Sequence, residues 1–488
     1  MQTGKLLCAL VILAAVGGAT QAGAKVIEDK SGSLKTLTSI GDALDSPGRR
    51  PVHILYVHGI HRVGAGDSEQ LRESICTKLK LCAVSDWKNA GVEFADKGEF
   101  SNSIQPPALT YLGNPIWKNA EEWRAAAPFV VHWVVHLRHH SATLILDEIN
   151  WWPLVLALKC RRIEANEAYL AGPDRDLLQV CSQQSKQDPD ELGRFYPWIT
   201  AEQAKKLAAI QPHAVLINRL LKDNLIDWGL SDVVLVVGQM GDILRDALRQ
   251  LMAKSAAFDP NEAGASSGGN GAVGKYDWKA QLSRGAAMDQ EFIGVTHSLG
   301  SYLLFNTLNS DFAGVPVQNL SASEAARKTD EENAIHYIFE RTSLVYFFAN
   351  QLEMLEITNL GTASNAAGEA KQPAGSGTGQ AMAAPAANFR ALVHEWEQLQ
   401  ANFQTALHPN DEAAREKIQV VAWSDPSDVL TWRAPRIGDV DVVNLYVQNA
   451  VHWLWIFESP PSAHRNYAAN KDVLRVMFED TAHPAAGN

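Results

Sequence analysis

The sequence has no surplus of positive charge, no second long apolar run and few cysteines, and each shortage removes a class of protein. Its 488 residues carry 43 Lys and Arg against 55 Asp and Glu, a net charge of −12. An acidic chain of this kind repels phosphate backbones, so no nucleic acid is expected as a partner. After the first residues, no apolar run approaches the roughly 20 residues that cross a bilayer. Neither a phosphate-cradling glycine loop nor a dinucleotide fingerprint occurs, and no cofactor is expected. There is no C-x-x-C and no H-E-x-x-H. His132, His136, His139 and His140 lie close together, but the Val and Trp around the first two read as a strand, and no metal is expected there. No internal repeat is visible.

What is present is an ordinary globular composition, 46% hydrophobic and 20% charged, with enough apolar residues for a sizeable core. The length fits one to three domains. Residues 1–24 have the parts of a secretory signal peptide: Lys5, the apolar stretch Leu6 to Val16, and Ala22-Gly23-Ala24 as a cleavage site. The mature chain, expected to begin at Lys25, would then be periplasmic or secreted; an uncleaved membrane anchor is the alternative. Cys8 lies inside the apolar stretch, too early to accept a lipid. The remaining cysteines are Cys76, Cys82, Cys160 and Cys181. An oxidising compartment would let them pair, most simply as Cys76–Cys82 and Cys160–Cys181 out of three connectivities, and buried thiols are the other reading.

Along the chain, Pro51–Val57 is an apolar strand that ends in His58-Gly59 and is followed by a helical pattern beginning SEQLRESICT, with Asp67 and Gln70 spaced as a capping box. Phe129–Leu137 and Thr143–Ile149 read as strands. Val215–Leu225 and Gly241–Met252 read as helices, and Val233–Val237 as either. Leu344–Phe348, Ile418–Trp423 and Val440–Val447 are further strands, and Phe389–Leu407 and Asn470–Phe478 further helices. Strands alternating with helices predict an α/β fold with a mostly parallel, doubly wound sheet. The stretch from about 107 to 252 reads as a long mixed insertion able to form a cap. Residues 256–274 and 361–387 are poor in large apolar residues and read as surface loops.

The chemistry is concentrated in Glu291-Phe292-Ile293-Gly294-Val295-Thr296-His297-Ser298-Leu299-Gly300-Ser301. A strand that turns sharply into a helix exposes a serine at the sheet edge, and its neighbours two positions away must be small because strand and helix approach closely. Gly300 meets that demand, whereas Thr296 is larger than the glycine usual there. With His58-Gly59 after the first apolar strand, this T-H-S-L-G turn resembles the lipase and esterase branch of the α/β-hydrolases. The resemblance is specific around Ser298 and His58-Gly59, weaker toward the C-terminus, and absent through the insertion and both loops.

The resemblance implies an α/β-hydrolase fold over residues 25–488 as a single domain, and a nucleophile, acid and base in the chain order Ser, Asp, His. Ser298 is the nucleophile. Ser427-Asp428-Val429-Leu430 has the shape of the acid segment, with Asp425 as the alternative acid. His464, between the last strand and the last helix, is the base in preference to His452 in an apolar patch and His483 in the tail. The oxyanion hole would be formed by the amides of Ile60 and Leu299. Trp453, Trp455 and Phe457 could wall an acyl pocket. The expected activity is hydrolysis of a small-molecule or lipid carboxylic ester, with peripheral membrane contact compatible. The alternatives are another acyl-transfer enzyme (amidase, thioesterase or acyltransferase) and a non-catalytic envelope binding protein.

Overall fold

A strand buried on both faces must be apolar along its whole length, whereas an edge strand alternates or thins out, so the burial of each strand reports its place in a sheet. In the computed structural model every residue of Val52–Val57, Glu291–His297, Thr342–Phe348 and Gln419–Ser424 is buried, while Lys88–Phe94 is exposed or half-buried throughout. The structure describes residues 27–28, 37–46, 51–59, 66–95, 110–111, 114–115, 126–165, 231–237, 241–260, 290–308, 322–352, 385–407, 418–428, 430–434, 440–449 and 460–479.

The strands are β1 (Ile27–Glu28), β2 (Val52–Val57), β3 (Lys88–Phe94), β4 (Thr110–Tyr111), β5 (Asn114–Pro115), β6 (Phe129–His136), β7 (Thr143–Asn150), β8 (Glu291–His297), β9 (Thr342–Phe348), β10 (Gln419–Ser424) and β11 (Asp441–Tyr446). Nine of them form one sheet in the order β1-β11-β10-β9-β8-β2-β7-β6-β3, and β4 pairs with β5 apart from it. From β7 to β11 all neighbours are parallel. Antiparallel β6 and β3 extend one edge and antiparallel β1 closes the other.

The helices are α1 (Ile40–Asp45), α2 (Glu69–Thr77), α3 (Trp152–Ala165), α4 (Ser231–Val237), α5 (Gly241–Ala257), α6 (Gly300–Leu308), α7 (Ala322–Glu340), α8 (Pro385–Leu407), α9 (Pro460–Arg465) and α10 (Lys471–Phe478). They cover both faces. Residues of α3 to α8 form one core with Leu55, Val57, Phe292, Val345 and Val420. Residues of α1, α2 and α10 form the other with the alternate positions Ile54, Tyr56, Ile293, Val295 and Tyr346. The fold is thus α/β with a mostly parallel sheet between two helical layers. No helix among the described residues is long and apolar enough to cross a membrane.

Several sequence expectations need revision. Two strands expected within the insertion, β6 and β7, belong to the main sheet, β7 pairing directly with β2, and α5 packs in the core beneath it. Residues 129–150 of that stretch therefore build the sheet instead of standing over it as a cap. Val233–Val237 is helical, within α4. The capping box at Asp67 does not form: Ser68 is the N-cap, and the buried Glu148 carboxylate takes the Ser68 hydroxyl and the amides of Gly66 and Asp67. Residues 256–257 close α5 and residues 385–387 open α8. The rest of both expected loops lies almost wholly outside the described residues, as do the signal segment and Val215–Leu225. Cys76 is bonded to Cys82. Cys160 is also disulfide-bonded, and its expected partner Cys181 lies outside the described residues.

The clustered histidines have a structural explanation in part. His132 Nδ1 stands 2.6 Å from Asp147 Oδ1, and His53 Nδ1 stands 2.7 Å from Asp147 Oδ2, all three residues fully buried on adjacent strands. No group of residues suited to a metal occurs among the described residues. Burial pushes the His132 imidazole down, but the carboxylates of Asp147 and Glu93 more than reverse this and hold it at about 9. Because that lies above the 6.5 of an ordinary histidine, the contribution of His132 is complete below pH 6.5 and is lost as pH rises through about 9. Urea titrations should show wild-type stability falling over that window by about 3 kcal/mol, with a flatter profile for His132→Asn. Parallel profiles would contradict the assignment.

Candidate active site

In an open parallel sheet a crevice forms beyond the strand ends where successive connections leave toward opposite faces. Here that place lies between β2 and β8. The chain leaves β2 for α2 on one face and leaves β8 for α6 on the other, while the two strands lie in register with Val57 beside Thr296. His58-Gly59 and His297-Ser298 therefore emerge next to each other.

Ser298 sits at φ +54°, in the left-handed region that costs a β-carbon-bearing residue energy. Its amide donates to the Phe348 carbonyl at 2.8 Å, continuing the β8–β9 ladder one residue beyond the strand. Its carbonyl accepts the Ser301 hydroxyl at 2.8 Å within the first turn of α6. Ser301 also reaches Asn350 Oδ1 at 3.2 Å, which ties this turn to the end of β9. Two glycines make the approach possible. A Cβ on Gly300 would stand 2.2 Å from the Val57 carbonyl oxygen, and one on Gly59 would stand 2.5 Å from the Ser298 Cβ. Thr296, at the position where a glycine was expected, fits as a fully buried strand residue between Val57 and Phe347.

The expected acid and base, Asp428 and His464, arrive from further along the sheet's C-terminal edge. Asp428, in the turn after β10, accepts from His464 Nδ1 at 2.9 Å. The Leu430 amide also donates to it at 2.9 Å, and the Tyr467 hydroxyl at 3.4 Å. A buried carboxylate needs such donors to hold its charge. His464 lies in the short helix α9 instead of the loop expected, and is 8% exposed. Asp425 does different work: its carboxylate accepts the amides of Ser427 at 2.8 Å and Asn449 at 2.5 Å. Asn449 in turn donates to the Ala463 carbonyl, so Asp425 helps to hold the segment that carries His464.

Compared with family models, with curated proteins and with solved structures, the chain matches none of them. The functional reading rests on geometry and chemistry.

Within that geometry the structure joins His464 to Asp428 and sets Gly59 against Ser298. It does not join Ser298 to His464: both Ser298 Oγ and His464 Nε2 are buried without a hydrogen-bond partner. Leu299 is buried at the turn into α6. Ile60, His452, Trp453, Trp455, Phe457 and His483 lie outside the described residues.

Sequence reading missed three contributors. Tyr467 also accepts the Asp425 amide at 2.7 Å. Burial, then Asp428 and Asp425, push its phenol well above the usual value, so it keeps the proton it donates. Trp151 donates its indole N–H to the His58 carbonyl at 3.0 Å and stacks on the His58 ring. Glu148 anchors the residues just before α2, and burial pushes its carboxyl up against the pull of its donors. An aromatic three residues after His464 was a visible signal for Tyr467. Nothing in the local pattern marked the other two.

Replacing Gly300 by alanine should destabilise the fold by about 1–3 kcal/mol through forced separation of α6 from β2. Thermal melts that leave Gly300→Ala at the wild-type midpoint would show that the approach is not as close as described.

Proposed function

We propose that this chain is an exported serine hydrolase of the α/β-hydrolase type, cleaving carboxylic esters through an acyl-enzyme on Ser298. The observation that carries the reading is a serine at positive φ, on a strand-to-helix turn at the sheet's switch point, with a buried Asp–His pair on the same edge. The Cys76–Cys82 bond fits an oxidising, periplasmic or secreted location.

A serine hydroxyl attacks only if a base takes its proton. His464 has Nδ1 committed to Asp428 and Nε2 unpaired, the tautomer arrangement a general base requires. As Ser298 Oγ bonds to the ester carbonyl carbon, Nε2 takes its proton. Asp428 stabilises the imidazolium, and the oxyanion is met by the Leu299 amide and, by resemblance, that of Ile60. Collapse breaks the carbon–oxygen bond, and His464 passes the proton to the departing alcohol. Water, deprotonated by the same histidine, then releases the acid and restores Ser298. The Ser298–His464 bond absent here would form as substrate binds, since such bonds often tighten only in the complex.

That missing bond is also the one observation that favours a non-catalytic binding protein, and active-site labelling separates the two. A fluorophosphonate should add once to the wild type, by intact mass, and not to Ser298→Ala, whose ester turnover should fall on the order of a millionfold. A folded wild type that takes no label would move the binding reading ahead.

The two aspartates should also part company. Asp428→Asn should slow labelling on the order of ten-thousandfold with the fold intact. Asp425→Asn should lower the melting temperature and slow labelling less. The opposite order would reassign the acid.

A further inference from the structure

The last carbonyls of a helix have no partner within it, and a six-residue helix such as α9 has little else. His464 is its penultimate residue, so its own carbonyl needs a donor from outside. That donor is His297, the last residue of β8 and the immediate neighbour of Ser298. His297 Nε2 stands 2.7 Å from the His464 carbonyl oxygen, and the pair is buried. A carbonyl has no proton to give, so Nε2 carries the hydrogen and donates it. The two imidazoles also meet edge to face, with centroids 4.9 Å apart. On its other side the His297 ring lies against Gly59, where a Cβ would come within 3.1 Å of Nδ1.

We infer that His297 is a positioning residue: it ties the backbone of the base to the turn that carries the nucleophile, and so sets where His464 Nε2 stands relative to Ser298 Oγ. The other bonds described here hold His464 to the β10–β11 side: Asp428 through the side chain, and Asn449 through the Ala463 carbonyl. His297 supplies the link to β8. Those bonds can orient the imidazole, but they do not fix its separation from a serine on another strand. Misplacing a catalytic group by about 1 Å can cost on the order of a hundredfold. The strand-to-helix turn and the base are 167 residues apart in sequence and one hydrogen bond apart in space.

This inference rests on the hydrolase reading, so its test needs two readouts that can fail separately. The first is the second-order rate of fluorophosphonate labelling. The second is the far-downfield proton resonance of His464 Nδ1–H on Asp428, identified by its loss in Asp428→Asn. His297→Phe keeps a ring but no donor. His297→Gln places an amide N–H at the same reach from the backbone. His297→Phe should slow labelling on the order of a hundredfold and broaden or lose the resonance, while His297→Gln should keep the resonance and label within about tenfold of wild type, as a retained hydrogen bond would allow. Should His297→Phe not fold, His297→Asn takes its place, because its amide is one carbon too short to reach. A donor-less variant that labels at the wild-type rate with its resonance intact would overturn the inference. So would a His297→Gln no better than Phe or Asn, which would make the ring's shape the cause. A wild type that never labels, yet loses the resonance only in the donor-less variant, would sink the hydrolase reading and leave the tether standing.

Discussion

The conformation of Ser298, around which the candidate site is built, depends on how closely α6 and the segment after β2 approach one another at the sheet edge. Side-by-side parallel register of β2 and β8 brings His58-Gly59 beside His297-Ser298, but register alone would leave ordinary side chains between them. Gly59 and Gly300 remove those side chains. Each would place a Cβ inside the van der Waals limit of backbone or of Ser298 itself. The serine then has little room for a relaxed conformation and is held at positive φ, with its amide still bound to the end of β9. Strain of this kind persists only where surrounding contacts over-determine it. Here those contacts are the β9 carbonyl, the Ser301 hydroxyl and the two glycine approaches.

The second half of the site is built by dividing labour between two carboxylates three residues apart. Asp425 spends its oxygens on the backbone amides of Ser427 and Asn449, which fixes the turn after β10 and the end of β11 as one piece. Asp428, freed from that task, faces His464, with Leu430 and Tyr467 as its further donors. Tyr467 bridges the pair, accepting from the amide of one and donating to the carboxylate of the other. Its phenol can do so because burial and two nearby carboxylates keep it protonated. Asp428 and the segment that carries His464 are therefore held in place by a second carboxylate, which spends its bonds on backbone amides.

How much of this was legible depended on whether the signal was local. The apolar runs at Pro51–Val57, Ile418–Trp423 and Val440–Val447 read as strands because buried parallel strands are apolar end to end, and each lies within a residue or two of the observed element. Ser298 was visible because a serine on a tight strand-to-helix turn constrains its immediate neighbours. The choice between Asp425 and Asp428 was not decidable locally, since both occupy turn positions and only the fold determines which meets His464. Glu148 and Trp151 were invisible for the same reason: their partners are 80 or more residues away. The reading of 107–252 as an insertion failed where β7 adds parallel to β2 and β6 antiparallel to β7, an extension of the sheet that periodicity does not distinguish from a separate layer.

The same residue types occur in a second buried constellation, and the contrast shows what gives such a group chemical meaning. His53, Asp147 and His132 form a histidine–carboxylate–histidine bridge with bonds as short as those of His464 and Asp428. His53, however, pairs with Phe292 near the start of β8, whereas Ser298 follows its end. Six residues of strand separate the two levels, roughly 20 Å at about 3.3 Å per residue. At the lower level the carboxylate is shared by two imidazoles, and Phe258 stacks on His132, so the cluster is sealed within the sheet. At the upper edge one imidazole nitrogen is spent on Asp428 and the other is left unpaired, on the same edge as an unpaired serine hydroxyl. Buried polar atoms without partners are costly, and a fold tolerates them most readily where a ligand supplies the missing contact. Neither identity of side chains nor an unpaired Nε2, which His53 shares with His464, separates the two clusters; position along the strands, beside a serine hydroxyl or sealed within the sheet, does.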